Sequence, residues 1–309
     1  MSVRRSVHTL LAASILLVCG ACGSSTHKAA TPRPFAYDTA QPLGYKDNGR
    51  ANHGYPIAIH DVSYLSGGDR IGAFLALPPA NGKRRPAVVY LHGAGGDRTS
   101  LIVPATWLAG RGAVALAITA PSSTASAATG GSAVAELRHD VQVEERDVIA
   151  VRRAIDLLRR RPDVDPNRIG FVGWSAGART GAILAGVEHR LRTLVLMSAG
   201  ASPISLYSRR APRSLRPALR RDLGSVDPLR YIRRAKGSGL LLQDGRNDTV
   251  VPRSALLTLS GDAPSDTTVR FYNAGHALNS AAYRDQLAWL SDKLEITGPP
   301  IKGAITGPI

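Results

Sequence analysis

The chain is 309 residues long, 44% apolar and 20% charged, with two cysteines and a formal net charge of +16. That length and apolar content give one large domain or two small ones a real core to bury. Cys19 and Cys22 both lie near the N-terminus, which excludes a disulfide framework or a cysteine-rich metal site in the body of the chain. The basic excess favours anionic surroundings such as lipid headgroups, cell-wall polymers or acidic substrates, and no nucleic-acid recognition motif accompanies it.

Arg4 and Arg5 precede an apolar run from Leu10 to Val18, the layout of a secretory signal and too short for a membrane span. The next residues, CGACG, resemble a bacterial lipoprotein signal, in which a cysteine becomes the lipidated first residue. Ala21 and Cys22 fit that pattern, and Cys19 stands where leucine is usual. The resemblance implies a signal peptide over residues 1–22, lipidation at Cys22, export and anchoring to the cell membrane. Cleavage with secretion, or retention as an anchor, is the alternative. Residues 23–54, rich in Ser, Thr, Pro and Gly, read as a linker.

YPIAIHDVSYL and DRIGAFLALPP alternate as two antiparallel strands around a Gly67–Gly68 turn. PAVVYLHG (86–93) and AVALAIT (113–119) are continuous apolar runs that suit strands buried on both faces. LIVPATWLAGRG between them reads as a helix, and residues 120–134 as a loop. Leu137, Val141, Val148, Val151, Ile155 and Leu158 fall on one stripe, which predicts a helix over 136–161 stopped by Pro162. RIGFVG is the next strand and AGARTGAILAGVEHR the next helix. LRTLVLMS (191–198), SGLLLQDG (238–245) and TTVRFYN (267–273) are further strands, with RSALLTLSG a helix between the last two. Tyr283, Leu287, Leu290 and Leu294 mark a closing helix. The alternation predicts an α/β fold, a mostly parallel sheet with helices on both faces. Ile-Thr-Gly-Pro at 296–299 recurs at 305–308, and residues 296–309 read as a flexible tail.

The stretch GFVGWSAGART (170–180) places Ser175 between Gly173 and Gly177, where a buried strand turns into a helix. Glycines two residues either side give such a turn its room and lift the hydroxyl above the sheet. The first helical N–H, from Ala176, then points where an oxyanion would form. A serine needs a base, and the base an orienting acid. In the α/β-hydrolase order the acid and then the histidine follow the serine. Two histidines follow Ser175. His189 ends the next helix, where a surface or capping role is expected. His276, in YNAGHAL directly after the final strand, is the expected base. LLLQDGRNDTVVP offers Asp248, further out on the loop, as the acid, with Asp244, nearer the strand, as a structural alternative. The glycine-rich loop YLHGAGGDR (90–98) should supply a second oxyanion donor, Ala94, with Gly93 or Gly95 as neighbours that could take its place. His92 is expected to brace that loop.

HGAGG, GWSAG, GRNDTVVP and GHAL together resemble the α/β-hydrolase superfamily, and within it the dienelactone hydrolase-like and prolyl-oligopeptidase-like serine esterases. The resemblance covers roughly residues 55 to 295. Dienelactone hydrolases use cysteine as nucleophile, so serine at 175 argues against dienelactone as substrate. The resemblance implies acyl transfer with Ser175, His276 and Asp248 as catalytic residues, Ala94 and Ala176 as oxyanion donors, and no cofactor or metal. The expected function is an exported serine hydrolase of small-molecule or lipid carboxylic esters. A peptidase or amidase of the same fold, or a non-catalytic envelope-binding protein on a hydrolase scaffold, is the alternative.

An insertion at about 201–236 separates two strands of the sheet. Between Arg209 and Lys236 it carries ten Lys or Arg against Asp222 and Asp227. This location hosts a cap in α/β-hydrolases. The block suits an anionic substrate, membrane or wall surface, or serves as a solvated helical cap.

Overall fold

The computed structural model describes residues 34–51, 54–125, 133–200, 211–235 and 237–299. Among the described residues nine strands form one sheet: β1 Lys46–Arg50, β2 Ala58–Ser66, β3 Asp69–Leu77, β4 Arg85–Leu91, β5 Val114–Ile118, β6 Val164–Trp174, β7 Thr193–Met197, β8 Gly239–Gly245 and β9 Thr268–Tyr272. Their spatial order is β1-β2-β3-β5-β4-β6-β7-β8-β9. The strands from β5 to β9 run parallel, and β1 to β3 add an antiparallel flank. Gly67 and Gly68, at φ +57° and +93°, make the two-residue turn joining β2 to β3, a turn that needs positive φ at both positions.

The helices are α1 Ile102–Gly110, α2 Pro121–Thr124, α3 Ala133–Arg160, α4 Ala176–Val187, α5 Arg216–Leu223, α6 Pro228–Ile232, α7 Arg253–Asp262 and α8 Ser280–Leu294. Alternate residues of the central strands feed two cores. Val89, Phe171, Leu196 and Leu242 pack with Val148, Val151 and Ile155 of α3 and Ala182 of α4. Val88, Val172, Val195 and Leu241 pack with Leu108 of α1 and Leu290 of α8. Helices therefore cover both faces, which explains why these strands read as unbroken apolar runs.

The structure differs from the sequence reading at the edges of the domain. Residues 34–50, expected as linker, pack onto it. Phe35 and Leu43 are buried, Arg152 donates to the Phe35 carbonyl at 2.7 Å, and Arg153 donates to the carbonyls of Gln41 and Pro42 at 2.8 and 3.1 Å. The physical reason is backbone satisfaction: two arginines of α3 bind the carbonyls of an otherwise irregular segment. At the other end Ile296 is buried and Gly298 lies so close to the Arg111 carbonyl that a Cβ would overlap it, so the domain continues through 299 instead of fraying at 296. The expected loop 120–134 contains α2, which starts on Pro121, and β6 begins at Val164, ahead of the RIGFVG run.

Cys22 and the signal segment, the cap stretch 201–210 and the second Ile-Thr-Gly-Pro copy lie outside the described residues. The described part of the cap holds a 3-10 turn at Arg213–Leu215, α5 and α6. Asp227 caps α6 by accepting from Leu229 N–H at 3.1 Å. Among the described residues no helix is long and apolar enough to cross a membrane.

Candidate active site

Parallel strands of a helix-covered sheet all end along one edge, and the loops leaving that edge gather side chains from distant parts of the chain. Ser175 occupies the link between β6 and α4 with φ +55° and ψ −114°, a strained conformation for a non-glycine residue. Both flanking glycines are required by contact. A Cβ on Gly173 would overlap the Gly177 carbonyl oxygen, and one on Gly177 would overlap that of Leu91. The turn is also tied to β7, since Ser175 N–H donates to the Met197 carbonyl at 2.9 Å.

His276, on the loop after β9, reaches this hydroxyl: its Nε2 lies 2.9 Å from Ser175 Oγ. Its Nδ1 lies 2.8 Å from Asp248 Oδ2 on the loop after β8. A carboxylate oxygen only accepts, so Nδ1 carries the proton and Nε2 presents its lone pair to the hydroxyl. The other Asp248 oxygen accepts from the backbone N–H groups of Val250 and Val251 at 2.8 and 2.9 Å. The Asp248 side chain is 1% exposed and that of His276 15%. The two loops meet at Gly245, where a Cβ would approach the carbonyls of Ala274 and Gly275 to 2.5 Å.

Of the two aspartates open in the sequence, Asp248 is therefore the one on His276. Asp244 is 1% exposed; burial, followed by the charge of Asp248, pushes its carboxyl up to about 7. His189 is exposed beyond the far end of α4, at the edge of the sheet away from Ser175.

Ala176 is the first residue of α4. The next helical N–H, from Gly177, is already donated to the His92 carbonyl at 3.1 Å. Gly93 lies against the Ser175 turn, where a Cβ would sit 3.1 Å from Ser175 Cβ and 2.9 Å from the Trp174 ring. Ala94, exposed, is one residue from that contact. His92 braces the loop: Nδ1–H donates to the Gly93 carbonyl at 2.6 Å, and Nε2 accepts from Ala120 N–H at 3.0 Å. Burial lowers the His92 pKa and favours this neutral form.

Two further residues hold the histidine, and sequence reasoning did not single them out. Trp174 Nε1–H donates to the His276 carbonyl at 3.0 Å, with its ring 5.3 Å from the imidazole. Ser198 Oγ–H donates to the same carbonyl at 2.7 Å. Ser198 has φ +51°, a strained position at a strand end that marks functional sites more often than ordinary turns. The sequence signals were faint: Trp174 is a variable position of the serine motif, and Ser198 is a polar residue closing an apolar run. Among the described residues no group of three or more His, Cys, Asp and Glu is arranged to hold a metal ion.

No protein-family model matches the sequence, and no curated protein matches it. Solved structures do match the fold. The acetyl xylan esterase 1 from Thermoanaerobacterium sp. JW/SL YS485 superposes with a TM-score of 0.68 at 17% identity, covering 81% of this chain and 88% of that one. An acetyl xylan esterase from Paenibacillus sp. R4 gives a TM-score of 0.68 at 21% identity over 82% of this chain and 89% of its own. A cold-adapted esterase from an Arctic intertidal metagenomic library gives 0.61 at 17% identity over 81% and 99%. The chain has the α/β-hydrolase fold.

Proposed function

With that fold as premise, we propose that the protein is a serine hydrolase that cleaves carboxylic esters through an acyl-enzyme. One observation carries the reading: His276 lies between the other two, its Nε2 2.9 Å from Ser175 Oγ and its Nδ1 2.8 Å from Asp248 Oδ2. His276 Nε2 takes the Ser175 proton as Oγ attacks the ester carbonyl carbon. The carbonyl oxygen becomes an oxyanion facing the N–H groups of Ala94 and Ala176; one such donor contributes about 2.7–4 kcal/mol of transition-state stabilisation. Asp248 holds Nδ1–H and stabilises the imidazolium. His276 then protonates the departing alcohol. In the second half it draws a proton from water, which attacks the acyl carbon and frees Ser175 with the acid product.

The esterases that share the fold, acetyl xylan esterases among them, make acetyl esters the first substrates to try. In this reading the chain is exported, carries lipid on Cys22 and works at the cell envelope, where the basic block from Arg209 to Lys236 meets an anionic surface. Binding to anionic vesicles that weakens as salt rises is the expected sign of that contact.

The test is a panel of p-nitrophenyl esters from acetate to dodecanoate, given to the wild type and to Ser175→Ala. Turnover that the substitution abolishes supports the reading. A folded wild type that hydrolyses no ester in the panel supports the non-catalytic scaffold instead.

A further inference from the structure

The edge of the sheet where the parallel strands begin carries a cavity of about 570 Å³. It lies between the loop joining β3 to β4 (78–84), the turn after α1 (110–112) and the segment after α8 (295–299). From this cavity β4 runs seven residues, Arg85–Leu91, to the edge that holds Ser175, about 20 Å at the rise of an extended chain. Among the described residues five cations line the cavity, Lys83, Arg84, Arg85, Arg111 and Arg168, against one carboxylate, Glu295. Glu295 is already paired with Arg192 at 3.0 Å, and Arg168 with Asp165 at 2.8 Å. The other four cations have no carboxylate partner among the described residues.

The Arg85 guanidinium donates only to carbonyls, those of Pro79 at 2.7 Å and Gly112 at 3.4 Å. Gly112, at φ +100°, admits it, since a Cβ there would sit 3.0 Å from Arg85 Nη1. Arg111 donates to the Pro299 carbonyl at 3.2 Å, and its Nε is buried without an acceptor. Lys83 and Arg84 are exposed at the rim. Other arginines of the same edge meet carboxylates: Arg161 binds Asp163 at 2.7 Å, and Arg190 binds Glu188 and Asp156. Around the cavity four like charges face one another with carbonyl dipoles alone to offset them. Their repulsion falls when an anion enters, and a concave wall focuses their field on it. Guanidinium forks match phosphate oxygens in pairs, and a lysine adds a point charge.

We propose that this cavity is a binding site for a phosphate-bearing anion, held by Lys83, Arg84, Arg85 and Arg111. A free phosphate ester and the headgroup of an acidic phospholipid offer the same chemistry. The site is separate from the basic block between Arg209 and Lys236, none of whose described residues lines the cavity. An anion bound here leaves the opposite edge, with Ser175, open to the ester.

The experiment has two arms, each run on wild type, Lys83→Glu/Arg84→Glu, Arg111→Gln and a cap control of equal charge change to the first variant, Arg213→Glu/Arg220→Glu. Circular dichroism checks that each is folded. Titration calorimetry with pyrophosphate is the first arm. The wild type is expected to bind with a dissociation constant below about 1 mM, Lys83→Glu/Arg84→Glu about tenfold more weakly or worse, Arg111→Gln about threefold more weakly, and the cap control within about twofold of wild type. Flotation with phosphatidylcholine vesicles, plain or containing about 30% phosphatidic acid, is the second. Pyrophosphate binding without added affinity for the acidic vesicles supports a free phosphate ester as the ligand. Acidic-vesicle binding that Lys83→Glu/Arg84→Glu reduces and the cap control keeps supports a lipid headgroup. A folded wild type that binds neither probe overturns the proposal. So does binding that Lys83→Glu/Arg84→Glu leaves intact, or that the cap control weakens as much.

Discussion

Where the parallel strands begin, Glu188 and Asp156 are buried with arginines on them; where the strands finish, Asp248 and Asp244 are buried among backbone N–H groups and an imidazole. At the first edge Arg190 binds Glu188 at 2.6 Å and also Asp156, and Arg152 reaches Glu188 at 3.1 Å. Burial alone would raise the Glu188 carboxyl, but Arg190 and Arg152 outweigh it and hold it below its usual range. At the other edge burial prevails on Asp244 and raises it. The difference separates two uses of buried charge. A carboxylate matched by fixed cations is an anchor between helices. One held by neutral donors keeps its field available to a neighbouring group.

The contrast breaks most visibly through the histidine. His276→Ala should lower kcat on p-nitrophenyl acetate by about 10⁴ to 10⁶-fold and shift the melting temperature by less than about 2 °C. Glu188→Ala should do the reverse. It takes the shared carboxylate from Arg190 and Arg152, which keep Asp156 and the Phe35 carbonyl, at a site where Glu188 is 2% exposed, and the cost is about 2–3 kcal/mol in urea unfolding, below that of a fully buried pair because Arg190 is 25% exposed and both arginines keep a partner. Activity per folded molecule should stay as in the wild type.

Smaller changes sharpen the comparison. Ser198→Ala removes one of the two donors on the His276 carbonyl, a hydrogen bond worth about 1 kcal/mol. A fall in kcat of about three- to tenfold follows, with KM and stability little affected. The smallest effect belongs to Asp147, at the same edge as Asp248. Burial pushes its carboxyl from 3.8 up to about 6, against the opposing Ser122 N–H and with help from Glu144. The folded state then binds this proton more tightly than the unfolded chain does. The resulting stability is full below about pH 4 and lost as pH rises through 6. Asp147→Asn removes that dependence, so its melting temperature should match the wild type at pH 4 and exceed it by about 2–4 °C at pH 8.

How far these edges were legible in the sequence follows from the range of the interactions. The sheet is written in local runs such as AVALAIT, and the sharp turn at Ser175 in Gly173 and Gly177, whose missing side chains leave room for backbone. The order of serine, acid and histidine followed from motifs that each sit at one strand end. The preference for Asp248 over Asp244 rested on four residues of loop; the structure puts Asp248 on His276, with the N–H groups of Val250 and Val251 on its other oxygen. The grip of Trp174 and Ser198 on His276 spans 102 and 78 residues of chain, and no local pattern records it. The folding of residues 34–50 onto the domain was hidden for the same cause. Its bonds end on Arg152 and Arg153 more than a hundred residues away, while its own composition is that of a linker.

The central claim is that Ser175 is made nucleophilic by His276 and Asp248. Treating the purified protein with a fluorophosphonate and locating the adduct by peptide mass spectrometry tests it most directly. The account predicts modification of Ser175 in the wild type and none at any position in Ser175→Ala. A folded wild-type protein that takes up no label, or carries it on another residue, would contradict it.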